Sequence, residues 1–178
     1  MLRVLSISAV MVVGVIIETT ILTHLSLFGV LPNIMLILIT SYGILRGDEE
    51  GAVAGLGGGL LRDIAFGQAM GLFAVLGLLA GHIAGKPFRS FYRDGYLLPM
   101  LTTGILNLLY SLLLYVFNSL TIAHVSATYY ISNVVIPETI YTMLFSIPIY
   151  RIFYGINQKI ESQENRKRKV FTAKQPKI

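Results

Sequence analysis

The chain has 178 residues, of which 54% are hydrophobic and 13% charged, with a mean hydropathy of +0.71. That balance exceeds what a soluble domain carries, and apolar runs recur along most of the length, so the chain reads as one polytopic, helical membrane domain. It contains no cysteine, which excludes a disulfide framework and thiolate chemistry, and where its net charge of +5 is placed separates a membrane surface from a nucleic acid as the target.

A first apolar run, about 4–23, matches the ~20 residues needed to cross a bilayer. It is too long for a signal peptide, contains Glu18 and lacks a small-x-small cleavage site, so it is expected to be a retained span. A second span runs over about 31–45, with Pro32 fitting the first helical turn. The acidic turn Gly47-Asp48-Glu49-Glu50 places carboxylates at the positive end of a third helix, about 49–65. Phe66-Gly67-Gln68 turns the chain into a fourth, about 69–85. A basic loop from Lys86 to Gly95 leads to a fifth over about 96–117, and a polar loop to a sixth over about 129–153. Residues 1–155 then form the transmembrane domain, and 156–178 a basic tail with too little hydrophobicity to fold alone.

Charge sets the orientation. Arg3, Arg46, Lys86, Arg89, Arg93 and the cluster from Arg151 onward fall on one side of a six-span arrangement, while 24–30, 66–68 and 118–128 contain no Lys or Arg. The positive-inside rule puts both termini in the cytoplasm of a multi-pass protein. The tail, with Arg166-Lys167-Arg168-Lys169, is suited to anionic lipid headgroups. No folded basic face accompanies it, so nucleic acid is not an expected partner. Tyr92, Tyr96, Tyr129, Tyr130, Tyr150 and Tyr154 fall near the span ends, as an aromatic belt does, and Pro137 and Pro148 predict a bend in the sixth span.

Two patterns stand out inside the spans. Gly51, Gly55 and Gly59 in the third, and Gly77 and Gly81 in the fourth, recur every fourth residue. That spacing forms a small-residue stripe for close helix approach, either within the molecule or to a partner. Gly67 and Gly71 continue the rhythm into the turn and its exit. The second pattern is a polar layer: Glu18, Arg62, Asp63 and Glu138 all fall in the outer half of the spans, with Asn33 at similar height and Asn107 nearer the middle. Charges in lipid are costly and should face inward and share partners. Arg62 is expected to pair with Glu18 or Glu138, and Asp63 to cap backbone N–H groups at the bend. The layer serves helix register, a ligand or ion pathway, or contact with a partner's membrane helix.

Catalytic signatures are absent from the sequence. The glycine run 57–59 leads into Leu60-Leu61-Arg62 rather than a phosphate-binding Lys, and there is no HExxH, CxxC or G-x-S-x-G. Asp63 is the single intramembrane aspartate, so a two-aspartate protease is not formed. His24 and His124 read as solvated loop residues without a second ligand at zinc-like spacing; His82 reads as a core histidine. The expectation is a non-enzyme with no metal and no cofactor.

Leu31-Pro32-Asn33, then Ser41-Tyr42-Gly43-Ile44-Leu45-Arg46-Gly47, Glu50-Gly51-Ala52-Val53-Ala54-Gly55, Gly59-Leu60-Leu61-Arg62-Asp63 and Gly67 through Gly71 resemble the MreD family of rod shape-determining membrane proteins. Ala69-Met70-Gly71 departs from the proline or leucine that family often has before the glycine. The resemblance covers about 32–81 and implies a non-catalytic subunit of the bacterial elongation machinery in the inner membrane. Its implied partners are MreC and, through it, the actin-like MreB and the RodA/class B penicillin-binding protein synthase of lateral-wall peptidoglycan. It also implies a six-helix fold like the S-component of energy-coupling-factor transporters. That likeness carries an alternative, a vitamin-binding transporter subunit, although the first span lacks the AxxxA docking face of such subunits.

Overall fold

The computed structural model describes residues 2–21, 30–66, 71–86, 97–121 and 126–173, and among them every regular element is helical. Helix α1 (Leu2–Ile16) runs into a π-helical turn, Ile17–Ile21. Then come α2 (Ile34–Arg46), α3 (Asp48–Phe66), α4 (Leu72–Gly85) and α5 (Leu97–Thr121). The short α6 (Ala127–Tyr130) passes through a second π-helical turn, Ile131–Val135, into α7 (Ile136–Ala173). By length and composition Leu97–Ser119 of α5 suffices to cross a membrane; Ala9–Thr20, Ile34–Arg46 and Leu72–Gly85 are shorter apolar helices.

The bundle is arranged around α2. Its segment IMLILITSYGILR is apolar on every side, the pattern of a helix without a solvent face, and every residue from Ile34 to Leu45 is buried. On one flank lie α3, α4 and α1, and on the other α5 and α7. Pro32 stands before the first turn rather than within it. Asn33 is the N-cap, its Oδ1 accepting from Leu36 N at 3.1 Å, and that side-chain oxygen satisfies one of the helix's orphan donors. At the other end Gly47 alone joins α2 to α3, with φ 103°, a conformation in which a Cβ is strained. Asp48, Glu49 and Glu50 then fill the first turn of α3, and Glu50 Oε2 accepts from the Tyr42 hydroxyl at 2.9 Å.

The α3–α4 hairpin is the most extensive helix pairing, and the glycine stripe explains it. A Cβ on Gly55 would collide with the carbonyl of Gly77, one on Gly81 with that of Gly51, and one on Gly59 with the backbone of Phe73 and Ala74. Backbone meets backbone with no side chain between. Gly43 joins the same contact from α2, where a Cβ would meet the Gly81 carbonyl, and Gly85 abuts Asp48. The stripe is therefore consumed within the molecule. Gly67, the other turn glycine of the motif, lies outside the described residues; Gly71, with φ 93°, leads into α4.

The structure adds detail at three places. The tail is helical as far as Ala173, because α7 continues through it; the stretch is rich in helix-forming Glu, Gln, Lys and Arg. Tyr150 is 3% exposed and belongs to the core with Tyr42 and Phe153 rather than to an interfacial belt. Near Pro137 a π-helical turn ends two residues before it, and proline supplies no N–H to the ladder. Here Ser132 Oγ and Asn133 Nδ2 donate to the carbonyls of Thr128 and Tyr129.

Candidate functional site

The polar layer assembles where α1 ends, α2 begins and α3 approaches its C-terminus. The π-helical turn carries Glu18 inward to 5% exposure. Arg62 Nη2 lies 3.0 Å from Glu18 Oε1, and its Nη1 donates to Asn33 Oδ1 at 2.7 Å and toward the Tyr110 hydroxyl at 3.4 Å. The guanidinium is also ringed by aromatics, with Phe73, Phe66 and Tyr110 centroids at 5.0, 5.6 and 5.7 Å. Ring faces and a carboxylate together suit a planar cation withdrawn from water. One side chain of α3 thus ties the π-helical turn after α1, α2, α4 and α5 together.

Asp63, one residue on, faces another way because adjacent helical residues diverge by about 100°. Its two carboxylate oxygens accept from Phe73 N at 3.1 Å and Ala74 N at 3.0 Å. These are the second and third N–H groups of α4, the donors that a capping residue serves, and Gly71 at the cap position has no side chain to do so. Glu138 does not pair with Arg62 at salt-bridge distance; its Oε2 accepts from Ser111 Oγ at 3.2 Å. Asn107 Nδ2 donates to Thr139 Oγ1 at 3.2 Å, and Asn33 N to Thr142 Oγ1 at 3.1 Å. Arg62 Nε, Asn33 Nδ2 and Asn107 Oδ1 are buried with no partner among the described residues.

Sequence reasoning singles out Glu18, Arg62, Asp63 and Glu138 and misses Tyr110 and Ser111, which serve the layer from α5, and Thr103, whose hydroxyl meets that of Thr40 on α2. A signal is present. Thr103, Asn107, Tyr110 and Ser111 recur at i, i+4, i+7 and i+8, and all are buried, whereas Leu101, Ile105, Leu109 and Leu113 on the other side of α5 are exposed. The helix is inverted relative to a soluble one, polar inward and apolar outward. Among the described residues no group of three His, Cys, Asp or Glu side chains converges on a metal-sized site.

Apolar helices that turn charges inward and aliphatic side chains outward define a helical membrane protein, built here around a buried arginine. A family model described as MreD, rod shape-determining protein MreD, matches residues 1–160. The chain belongs to that family, a bacterial membrane family of the rod-shape elongation machinery known for shape determination rather than for an enzymatic reaction. No curated protein and no solved structure gives a match.

Proposed function

We propose that the protein is a non-catalytic scaffold of the elongation complex that holds the membrane anchor of MreC. In this reading it thereby presents MreC's outer domain to the RodA/class B penicillin-binding protein synthase, with MreB reached through MreC. Six spans with both termini cytoplasmic form the scaffold, the orientation that the basic residues favour. The observation that carries the reading is how the polar side chains are used. Arg62, Glu18, Asn33 and Asp63 are spent on one another and on backbone N–H groups, which fastens helices together.

With the glycine stripe covered by α4, docking falls to a different face of α3. Val53 and Ile64 are 72% and 81% exposed, Leu60 lies between them, and a Cβ on Gly57 would meet nothing within 4 Å. A partner helix approaches most closely over such a small residue. The test is recovery of MreC with the tagged protein from native membranes. Gly57→Trp is expected to lower recovery severalfold at unchanged protein level, and Val75→Trp on the exposed face of α4 to leave it intact. Failure of the unaltered chain to recover MreC refutes the scaffold; equal recovery with Gly57→Trp refutes the face.

A further inference from the structure

Arg62 brings one positive charge to the polar layer, and two carboxyl groups converge on it. Glu18 takes the guanidinium at 3.0 Å, so that charge is already matched. Glu138 enters the same layer from the first turn of α7, and the described residues bring it no Lys, Arg or His at salt-bridge distance. The groups that touch it are neutral: Ser111 Oγ donates to Oε2 at 3.2 Å, and the Asn107 amide approaches the carboxyl from one turn earlier on α5. Among the described residues, the charged or titratable groups that act on it are Arg62 from α3, Glu18 from the turn after α1, Tyr110 from α5 and Tyr130 from α6. From α2 the layer receives Asn33, which carries no charge. An ionised Glu138 therefore leaves the apolar bundle with one negative charge more than it has cations, which is costly to bury.

A second observation points to what is missing. Asn107 is 0% exposed, its Nδ2 donates to Thr139 Oγ1 at 3.2 Å, and its Oδ1 is buried without a donor. Thr139 follows Glu138 directly, and Asn107 and Ser111 share one face of α5, so this unserved acceptor stands beside the carboxyl. The pair lacks a donor and a positive charge, and one proton is both, because a carboxylic acid donates where a carboxylate only accepts. A metal ion answers less well. Hard cations gather about six oxygens, and among the described residues no three His, Cys, Asp or Glu side chains form such a site. We infer that Glu138 is a proton-binding site, a neutral carboxyl in the folded bundle whose O–H donates to Asn107 Oδ1 while Ser111 serves the other oxygen. The proton then decides which helix owns the arginine. With it in place Arg62 stays with Glu18; without it, α7 competes with the π-helical turn for one guanidinium, and the two carboxyls behave as a coupled pair. The site does not depend on MreC.

Infrared spectroscopy of the full-length protein in lipid nanodiscs at neutral pH reads this proton, because the carbonyl stretch of a protonated carboxyl is resolved from those of carboxylates and of the backbone. Incorporation of isotope-labelled glutamate shifts the glutamate bands alone. The parent should show one protonated-carboxyl band that moves with the label. Glu138→Gln, which keeps a donor in the same place, should lose the band and melt at the parent's temperature, whereas Glu49→Gln on the exposed start of α3 should retain it. Glu18→Gln should lose it too, since Arg62 then takes Glu138 as its counter-ion and the proton leaves. Replacing sodium chloride by choline chloride should change nothing. Absence of the labelled band from the parent overturns the site, and needs no variant to fold. Survival of the band in Glu138→Gln overturns it by giving the proton to another carboxyl, and loss of the band in sodium alone gives the site to a metal ion. Persistence of the band in Glu18→Gln overturns the competition for Arg62.

Discussion

Arg62 on α3 and Glu18 in the π-helical turn after α1 meet at 3.0 Å, with side chains 16% and 6% exposed. A pair this withdrawn is held less by its own attraction than by the cost of separating it, since removing one member strands the other's charge. Arg62→Ala should therefore lower stability by about 3–5 kcal/mol, and Arg62→Met combined with Glu18→Leu should recover most of that loss. Unfolding of the purified protein in detergent measures both. Equal stability of Arg62→Ala and the double variant would show that Glu18 is not the partner that matters.

Asp63 makes the α4 cap from a distance of ten residues in sequence. Asp63→Ala leaves two buried N–H groups unserved and should cost about 1–2 kcal/mol, in the range of lost helix caps, while Asp63→Asn, which keeps one acceptor, should cost less than half as much. Steady-state membrane levels and detergent melting should follow that order. A variant pair with no difference from the parent would remove the cap from the stability account.

Glycines two residues apart on α3 should respond in opposite directions. Gly55→Ala forces the α3 and α4 backbones apart and should destabilise by about 1–3 kcal/mol, as overpacking does. Gly57→Ala enters open space and should raise stability by up to about 1 kcal/mol through helix propensity. Thermal melting of the two side by side tests whether α4, rather than a partner, covers the stripe.

Thr40 Oγ1 and Thr103 Oγ1 lie 2.8 Å apart at 0% exposure, bridging α2 and α5. A double-mutant cycle of Thr40→Val and Thr103→Val should give a coupling of about 0.6 kcal/mol, typical of hydrogen bonds between membrane helices. Zero coupling would mean that α2 and α5 are joined by apolar packing alone.

Much of this architecture is legible in the residues. Apolar runs bounded by Pro, Gly and charged turns mark the helices, because the backbone of such runs is satisfied only internally. Glycine at every fourth position announces close approach, and an arginine inside an apolar run demands an acid. What sequence alone leaves open is the choice among equals. Glu18 and Glu138 are equivalent until the π-helical turn swings Glu18 inward and Ser111 takes Glu138. The stripe fits α4 or a partner until the backbone contacts of Gly55 and Gly59 decide it. The burial of α2 on every side is a property of its neighbours, and Tyr150 joins the core because Tyr42 and Phe153 sit beside it, not because of its distance from the span end.

The single-residue link at Gly47 has a consequence in time. With Gly47 between α2 and α3, and the α3–α4 contact made between helices adjacent in sequence, α2, α3 and α4 find one another over short stretches of chain, where loop closure is least costly. Local contacts of this kind form early. This trio can assemble while α5 is still being made, with one flank of α2 left bare. The arrival of Thr103 and Thr142 against that flank then completes the molecule, so the second half of the chain folds onto a template the first half has already set.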